Sequence, residues 1–225
     1  MNAVKFMKMD FLKIKSQIKL MIVIIAFVMV FSFKMLTKDM LGWSVMYMIF
    51  MGIILASLPF SVDTTTSGGF VTLLPAKARS RVYGRFLYGL VFLVVCTLIG
   101  SAISVSYAIK ENVDLKGLLL QIIVFFGAGV IVNSLQFFVS YLFEIKNAQV
   151  LSIMRIIPGF LFFFCGSVLM DKISENQESM NAFSQTVSKI IEYKEAVAIG
   201  FFVISMLIMV VCMMICAKRE ERKEG

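Results

Sequence analysis

Apolar runs of about 20 residues, separated by short polar or charged connections, recur along the whole chain. Six can be marked, at 18–33, 41–60, 86–109, 117–143, 150–170 and 196–217. As helices rising about 1.5 Å per residue, runs of about 20 residues cross a hydrocarbon core of roughly 30 Å. The first run is the shortest, bounded by Lys19 and Lys34, but both lysine stems can lie along apolar surface while their ammonium groups reach the interfaces. A cleaved leader would need small residues after its apolar core, and Ser32, Phe33, Lys34 and Met35 do not form that pattern. The periodicity therefore predicts an all-α integral membrane protein, a single domain over 1–225 with six transmembrane helices.

The polar connections carry patterns of their own. Over 1–17, Val4, Met7, Phe11 and Ile14, continued by Ile18, recur at three- and four-residue intervals, with Lys5, Lys8, Lys15 and Lys19 to one side. This predicts a helix lying in the membrane interface, although a merely basic flank would carry the same charges. Between the fifth and sixth runs, 171–195 places Met180, Phe183, Val187, Ile190 and Ile191 at helical spacing among Asp171, Glu175, Glu178, Glu192 and Glu195. A short amphipathic helix and an irregular solvated loop fit that segment equally. The tail, 218–225, is charged throughout apart from its last residue.

Composition agrees with a membrane protein: 60% of the residues are hydrophobic, 16% are charged, and the mean hydropathy is +0.91. A soluble domain of 225 residues could not cover so much apolar surface. The net charge of +8 sorts by position. Six spans put both termini on one side, and that side would hold Lys5, Lys8, Lys13, Lys15, Lys19, Lys77, Arg79, Arg81, Arg85, Lys146, Arg155, Lys218, Arg219, Arg222 and Lys223. The other side keeps Lys34, Lys38, Lys110, Lys116, Lys172, Lys189 and Lys194. The excess predicts N-in and C-in topology in a cytoplasmic membrane, of bacterial type. Basic charge then reports orientation and affinity for anionic lipids, so no nucleic-acid partner is expected.

Candidate chemistry is sparse. The chain has no His, which removes His-based acid/base catalysis and zinc sites of the His-Glu-x-x-His kind, and Cys96, Cys165, Cys212 and Cys216 all lie in apolar runs as packing residues. No metal site is expected, and no phosphate-binding G-x-x-x-x-G-K-[ST] loop is present, so this chain is expected to bind no cofactor. No catalytic residue and no enzyme activity of its own are expected. The fourth run carries Gln121, Gly127, Gly129, Asn133, Ser134 and Gln136, which could line a pathway, form a seam with a second copy, or make contacts between helices of one chain. Pro158 and Gly159 predict a kink or break in the fifth run.

The inner connection, 61–85, is the most distinctive. A polar leader from Ser61 to Gly69 is followed by Phe70, Val71, Leu73 and Leu74, and Pro75 can open a helix at its first position. Beyond it Lys77, Arg81 and Arg85 share one helical face and Ala78, Val82 and Phe86 another. A short amphipathic helix of this kind suits a partner's groove. A lipid-facing basic loop would carry the same charges.

The layout resembles the small six-span permease subunits of type-2 ABC transporters, the branch with exporters of phenol-soluble modulins and related peptides or antibiotics. That branch opens with a Lys-rich, Leu-rich segment containing a Lys-Asp pair, matched here by Lys8, Met9, Asp10, Phe11 and Leu12, with Met9 interposed. Its inner loop has Leu-Pro, a basic residue and a cluster of apolar, aromatic and basic side chains, matched by Leu74, Pro75, Lys77, Arg81, Val82, Tyr83 and Arg85. Where the family often has an acid before the Leu-Pro, this chain has Ser67, Gly68 and Gly69.

The resemblance implies a permease that works with a separate ABC ATPase, which would hold ATP and Mg, and with a second permease copy or paralogue. A cytoplasmic coupling helix between spans 2 and 3 would dock on the ATPase. Its apolar contacts would be Leu73, Leu74, Val82 and Tyr83, its entry turn Pro75, and its basic contacts Lys77, Arg79, Arg81 and Arg85. The implied activity is ATP-driven export of a peptide, antibiotic or other amphipathic substrate. A non-transporting scaffold or immunity protein that recruits a partner through the same loop is the alternative.

Overall fold

The computed structural model describes residues 2–15, 19, 22–23, 25–27, 29–30, 41–60, 77–143, 157 and 194–224. All regular structure among them is helical: α1 (Ala3–Lys13), α2 (Leu41–Ala56), α3 (Ala78–Lys110), α4 (Leu115–Phe143) and α5 (Lys194–Glu224). Among the described residues three helices are long and apolar enough to cross a membrane, Ala78–Lys110, Leu115–Leu142 and Glu195–Lys223, and Ser44–Phe60 is a shorter apolar helix. The chain is an integral membrane protein. Half of the expected span 18–33 and all of the expected span 150–170 except Ile157 lie outside the described residues, as do 61–76 and 171–193.

α3 differs from the expected arrangement in one respect. The third apolar run was expected to start at 86, after a separate short helix, but a single helix runs unbroken from Ala78 to Lys110. Its interior contains no Pro, so nothing interrupts the backbone hydrogen bonds between the basic turns and the apolar ones. Its 33 residues extend about 50 Å, against about 30 Å of hydrocarbon, so α3 reaches well past the apolar layer. At its far end Asn112 adopts φ 53°, a left-handed conformation that Asn tolerates, and turns the chain. Asp114 then caps α4 by accepting hydrogen bonds from the backbone N–H of Lys116 (3.0 Å) and of Gly117 (3.1 Å).

Helix packing relies on small residues, as expected where lipid is as apolar as the side chains and only close contact favours association. On α3, Gly100 lies against the backbone of Val45 and the side chain of Met48, and the hydroxyls of Ser44 and Ser104 meet beside it. Gly89 receives Asn133 and Phe137 of α4. Hydroxyls within the helices are satisfied locally: Thr97 donates to the Leu93 carbonyl (2.7 Å), Ser134 to Val130 (2.6 Å) and Ser205 to Phe201 (2.7 Å). α5 turns Val203, Ile204, Leu207, Val211, Met214 and Ile215 outward, an apolar stripe that suits contact with lipid.

A Cβ at Gly100 would stand 3.0 Å from both Val45 Cα and Met48 Cβ, whereas nothing lies within 4 Å of one at Gly200. Gly100→Leu is expected to destabilise the bundle by about 1–3 kcal/mol through overpacking. Gly200→Leu should stay within about 0.5 kcal/mol of the parent. Thermal unfolding of the purified protein in one detergent checks both, and equal midpoints for the two variants would contradict the packing described.

Candidate functional site

One end of the bundle gathers the basic residues. The start of α3, the ends of α2, α4 and α5, and all of α1 meet there, joined by ion pairs between Arg79 and Glu221 and between Arg85 and Asp10. Lys5, Lys8, Lys13, Lys15, Lys77, Arg79, Arg81, Arg85, Lys218, Arg219, Arg222 and Lys223 belong to this end, and among the described residues Lys110, Lys116 and Lys194 belong to the other. A cleft of about 500 Å³ opens between the first turns of α3 and the last turns of α5, lined by Arg79, Tyr83, Met214, Ile215, Lys218 and Glu221 among others.

The residues expected to couple to a partner divide between surface and interior. Lys77 and Arg79 are exposed, Arg81 and Tyr83 half-buried. Val82 is fully buried in a cluster with Ala56, Phe60, Phe86, Phe137 and Cys212. It therefore fills the chain's own core and is not available to a partner's groove. The helical period explains this: Ala78, Val82 and Phe86 form the inward face of α3, leaving Arg79 and Tyr83 on the outward side. Leu73, Leu74 and Pro75 lie outside the described residues.

Arg85, expected on the same basic rim, is also buried. Its Nε lies 3.8 Å from Oδ2 of Asp10, and its guanidinium stacks over the Phe60 ring, 4.5 Å from the centroid. Phe60 packs in turn on Phe137 and Tyr141 of α4. Asp10 has no exposed surface, and its Oδ1 lies 3.5 Å from the Lys13 ammonium. Burial pushes the Asp10 carboxyl above its ordinary range despite the opposing pull of Arg85 and Lys13. It pushes Lys13 below its own, with repulsion from Arg85 adding to the shift and Asp10 resisting it. Both shifts favour the neutral forms, so holding this cluster ionised costs free energy.

α1 is a helix, as its periodicity predicts, and Met7, Phe11 and Ile14 of its expected apolar face pack against Tyr88 of the chain itself and not into lipid. Phe6, Asp10 and Ile14 are buried, while Val4 is exposed. Gly84 is the reason: a Cβ there would come within 2.8 Å of the Ala3 carbonyl oxygen and 2.9 Å of Phe6 Cβ, so only glycine admits α1 at this distance. The helix is docked on α3 along that face, not immersed in lipid by it. The Phe6, Asp10, Ile14 spacing was readable, but an acid on a Lys-rich segment gave no hint that it would be buried.

The polar residues of α4 do not share one lining. Gln121 is exposed, Gly127 packs on Phe201 and Ser205 of α5, Gly129 on Ile49 of α2, and Asn133 on Gly89 of α3. Ser134 and Gln136 are buried. Gly127, Gly129 and Ser134 are thus occupied within the chain and do not supply a seam for a second copy. Cys96, Cys212 and Cys216 are free and buried, and Cys165 lies outside the described residues. Among the described residues no group of three Cys, Asp or Glu converges as a metal site would.

In a chain lacking its native cysteines, Lys77→Cys and Arg79→Cys should react with a membrane-impermeant maleimide from one side of sealed vesicles only. Val82→Cys should react at least about tenfold more slowly in the same vesicles, since thiol reactivity needs access as well as ionisation. Equal rates at Arg79 and Val82 would contradict the inward face assigned to α3.

No curated protein and no solved structure matches this chain. A family model does match, that of the ABC-2 family transporter proteins, over residues 5–219. The match takes in α1, the basic end and every apolar helix described above, which leaves little of the chain outside it. The chain belongs to the ABC-2 transporter family, whose members are membrane permease components of ABC transporters, and membership implies an ABC ATPase partner.

Proposed function

We propose that this chain is the membrane-spanning subunit of an ATP-driven exporter and that its ATPase partner docks at the basic end of the bundle. The observation that carries this reading is the reach of α3. A helix that continues unbroken from the exposed Lys77 and Arg79 into the apolar bundle can carry a displacement at one end into the membrane. Arg79, Arg81 and Tyr83 offer the partner a basic and aromatic surface, to which Leu73, Leu74 and Pro75 would add an apolar contact. Hydrolysis of ATP, with Mg, takes place on the partner.

In this reading the basic end faces the cytoplasm of a bacterial cell, as the distribution of Lys and Arg favours. Six spans, with both termini inside, pair with a second copy or a paralogue to enclose the pathway. The outward apolar stripe of α5 suits a substrate that is itself amphipathic, such as a peptide or antibiotic, approaching from the lipid.

Co-expression with an ABC ATPase encoded beside this chain tests the proposal. The ATPase should co-purify with the parent, and Arg79→Glu together with Arg81→Glu should weaken the complex at least about tenfold, since like charges brought together at an interface cost several kcal/mol. Leu74→Asp should do the same. Unchanged binding by both variants would place the docking surface elsewhere. ATP-dependent efflux from proteoliposomes is expected of the pair, and its absence with ATPase bound would favour a non-transporting scaffold.

A further inference from the structure

The contact between α1 and the rest of the chain is narrow and specific. Gly84 admits Ala3 and Phe6 at backbone distance, and about one turn further along α1 Asp10 is buried with its carboxylate beside Arg85. Arg85 follows Arg79 and Arg81 on the same helix, so the guanidinium that meets Asp10 is rigidly connected to the exposed basic surface. On its other side lies the Phe60 ring, which packs on α4. One side chain therefore relates the first turns of α3 to α1, to the end of α2 and to α4.

Resting on the docking proposed above, we propose that Asp10 is a positioning residue for the ATPase-docking surface: through Arg85 it clamps α1 to the start of α3, so that the two helices move together. Apolar contact alone would hold α1 less definitely. Phe6 and Ile14 carry no group that has to meet one particular partner, whereas a buried carboxylate lies 3.8 Å from the guanidinium in one register only. Buried pairs of this kind contribute little net stability, because desolvation offsets attraction, and their best attested use is to specify one arrangement. The opposing pKa shifts of Asp10 and Lys13 agree with that balance. The clamp also gives the N-terminal helix a role beyond attachment to lipid, since a push on Arg79 and Tyr83 reaches α1 as well as the transmembrane part of α3.

The test uses the full chain in proteoliposomes with its ATPase, and compares Asp10→Asn, the apolar pair Asp10→Leu with Arg85→Met, and the exchange Asp10→Arg with Arg85→Asp. Asp10→Asn leaves Arg85 without its acid and can fail to accumulate. The apolar pair removes the two most buried charges, leaving Lys13, whose flexible stem can carry its ammonium outward once Asp10 is gone, and it decides the matter, because it should unfold near the parent temperature and still bind ATPase. The stimulation of the partner's ATPase rate by this chain in proteoliposomes, measured against the ATPase alone, is expected to fall about tenfold, within the ordinary range of coupling free energies. The exchange should recover most of that loss. Full stimulation in the apolar pair would overturn the proposal, since a merely structural contact would be restored by good packing.

A second readout on the chain alone separates this inference from the docking reading. Spin labels at Leu12 and Leu98, both strongly exposed, report the position of α1 against α3. A narrow distance distribution in the parent that broadens in the apolar pair supports the clamp even if no ATPase binds the parent, an outcome that would refute docking only. Equal widths would overturn the clamp whatever the ATPase does.

Discussion

A carboxylate with no exposed surface, set 3.8 Å from a buried guanidinium at one end of an apolar bundle, constrains this protein more than any other contact described. Neither charge could be left there alone, because an uncompensated buried ion is among the costliest features a fold can carry. The two must stay together, and with them the helices that bear them. α1 is fixed in rotation because Asp10 must face inward, and the first turns of α3 are fixed because Arg85 must meet it. Phe60 then closes the far side of the guanidinium and ties in the end of α2.

Around that point the bundle is held by closeness rather than by hydrophobic exclusion. In lipid the usual drive to bury apolar side chains against each other is nearly absent, so dispersion contacts and backbone proximity set the arrangement. Gly84, Gly89 and Gly100 divide α3 among three neighbours, α1, α4 and α2 in that order along its length. The remaining side of the bundle is apolar and outward on α5. Small-residue contacts of this kind are flat and short in range, so each depends on the backbones staying close.

Much of the architecture was legible from periodicity. The long apolar runs at 86–109, 117–143 and 196–217 correspond to α3, α4 and α5, because an unbroken apolar stretch of that length has few other ways to satisfy its backbone. The inward face of Ala78, Val82 and Phe86 was also readable as a face. Its partner was not: a spacing of four says which residues look the same way, and nothing about whether they look towards a second protein or towards the chain's own core. For the same reason the glycines of the fourth run could be read as a seam until Phe201, Ser205 and Ile49 were found against them.

Sequence by itself determined that this is a helical membrane protein with its basic residues concentrated between and beside apolar runs, since hydropathy and charge act locally and need no knowledge of neighbours. Only the tertiary structure decided which of those charges are surface and which are interior. Arg79 and Arg85 are alike in type and lie on the same helix, but one is open to solvent and paired with Glu221 while the other is enclosed by Asp10 and Phe60. The difference comes from residues 75 positions upstream and 25 positions upstream of Arg85, brought together by a glycine that lets two helices touch, and no local pattern encodes a meeting of that kind.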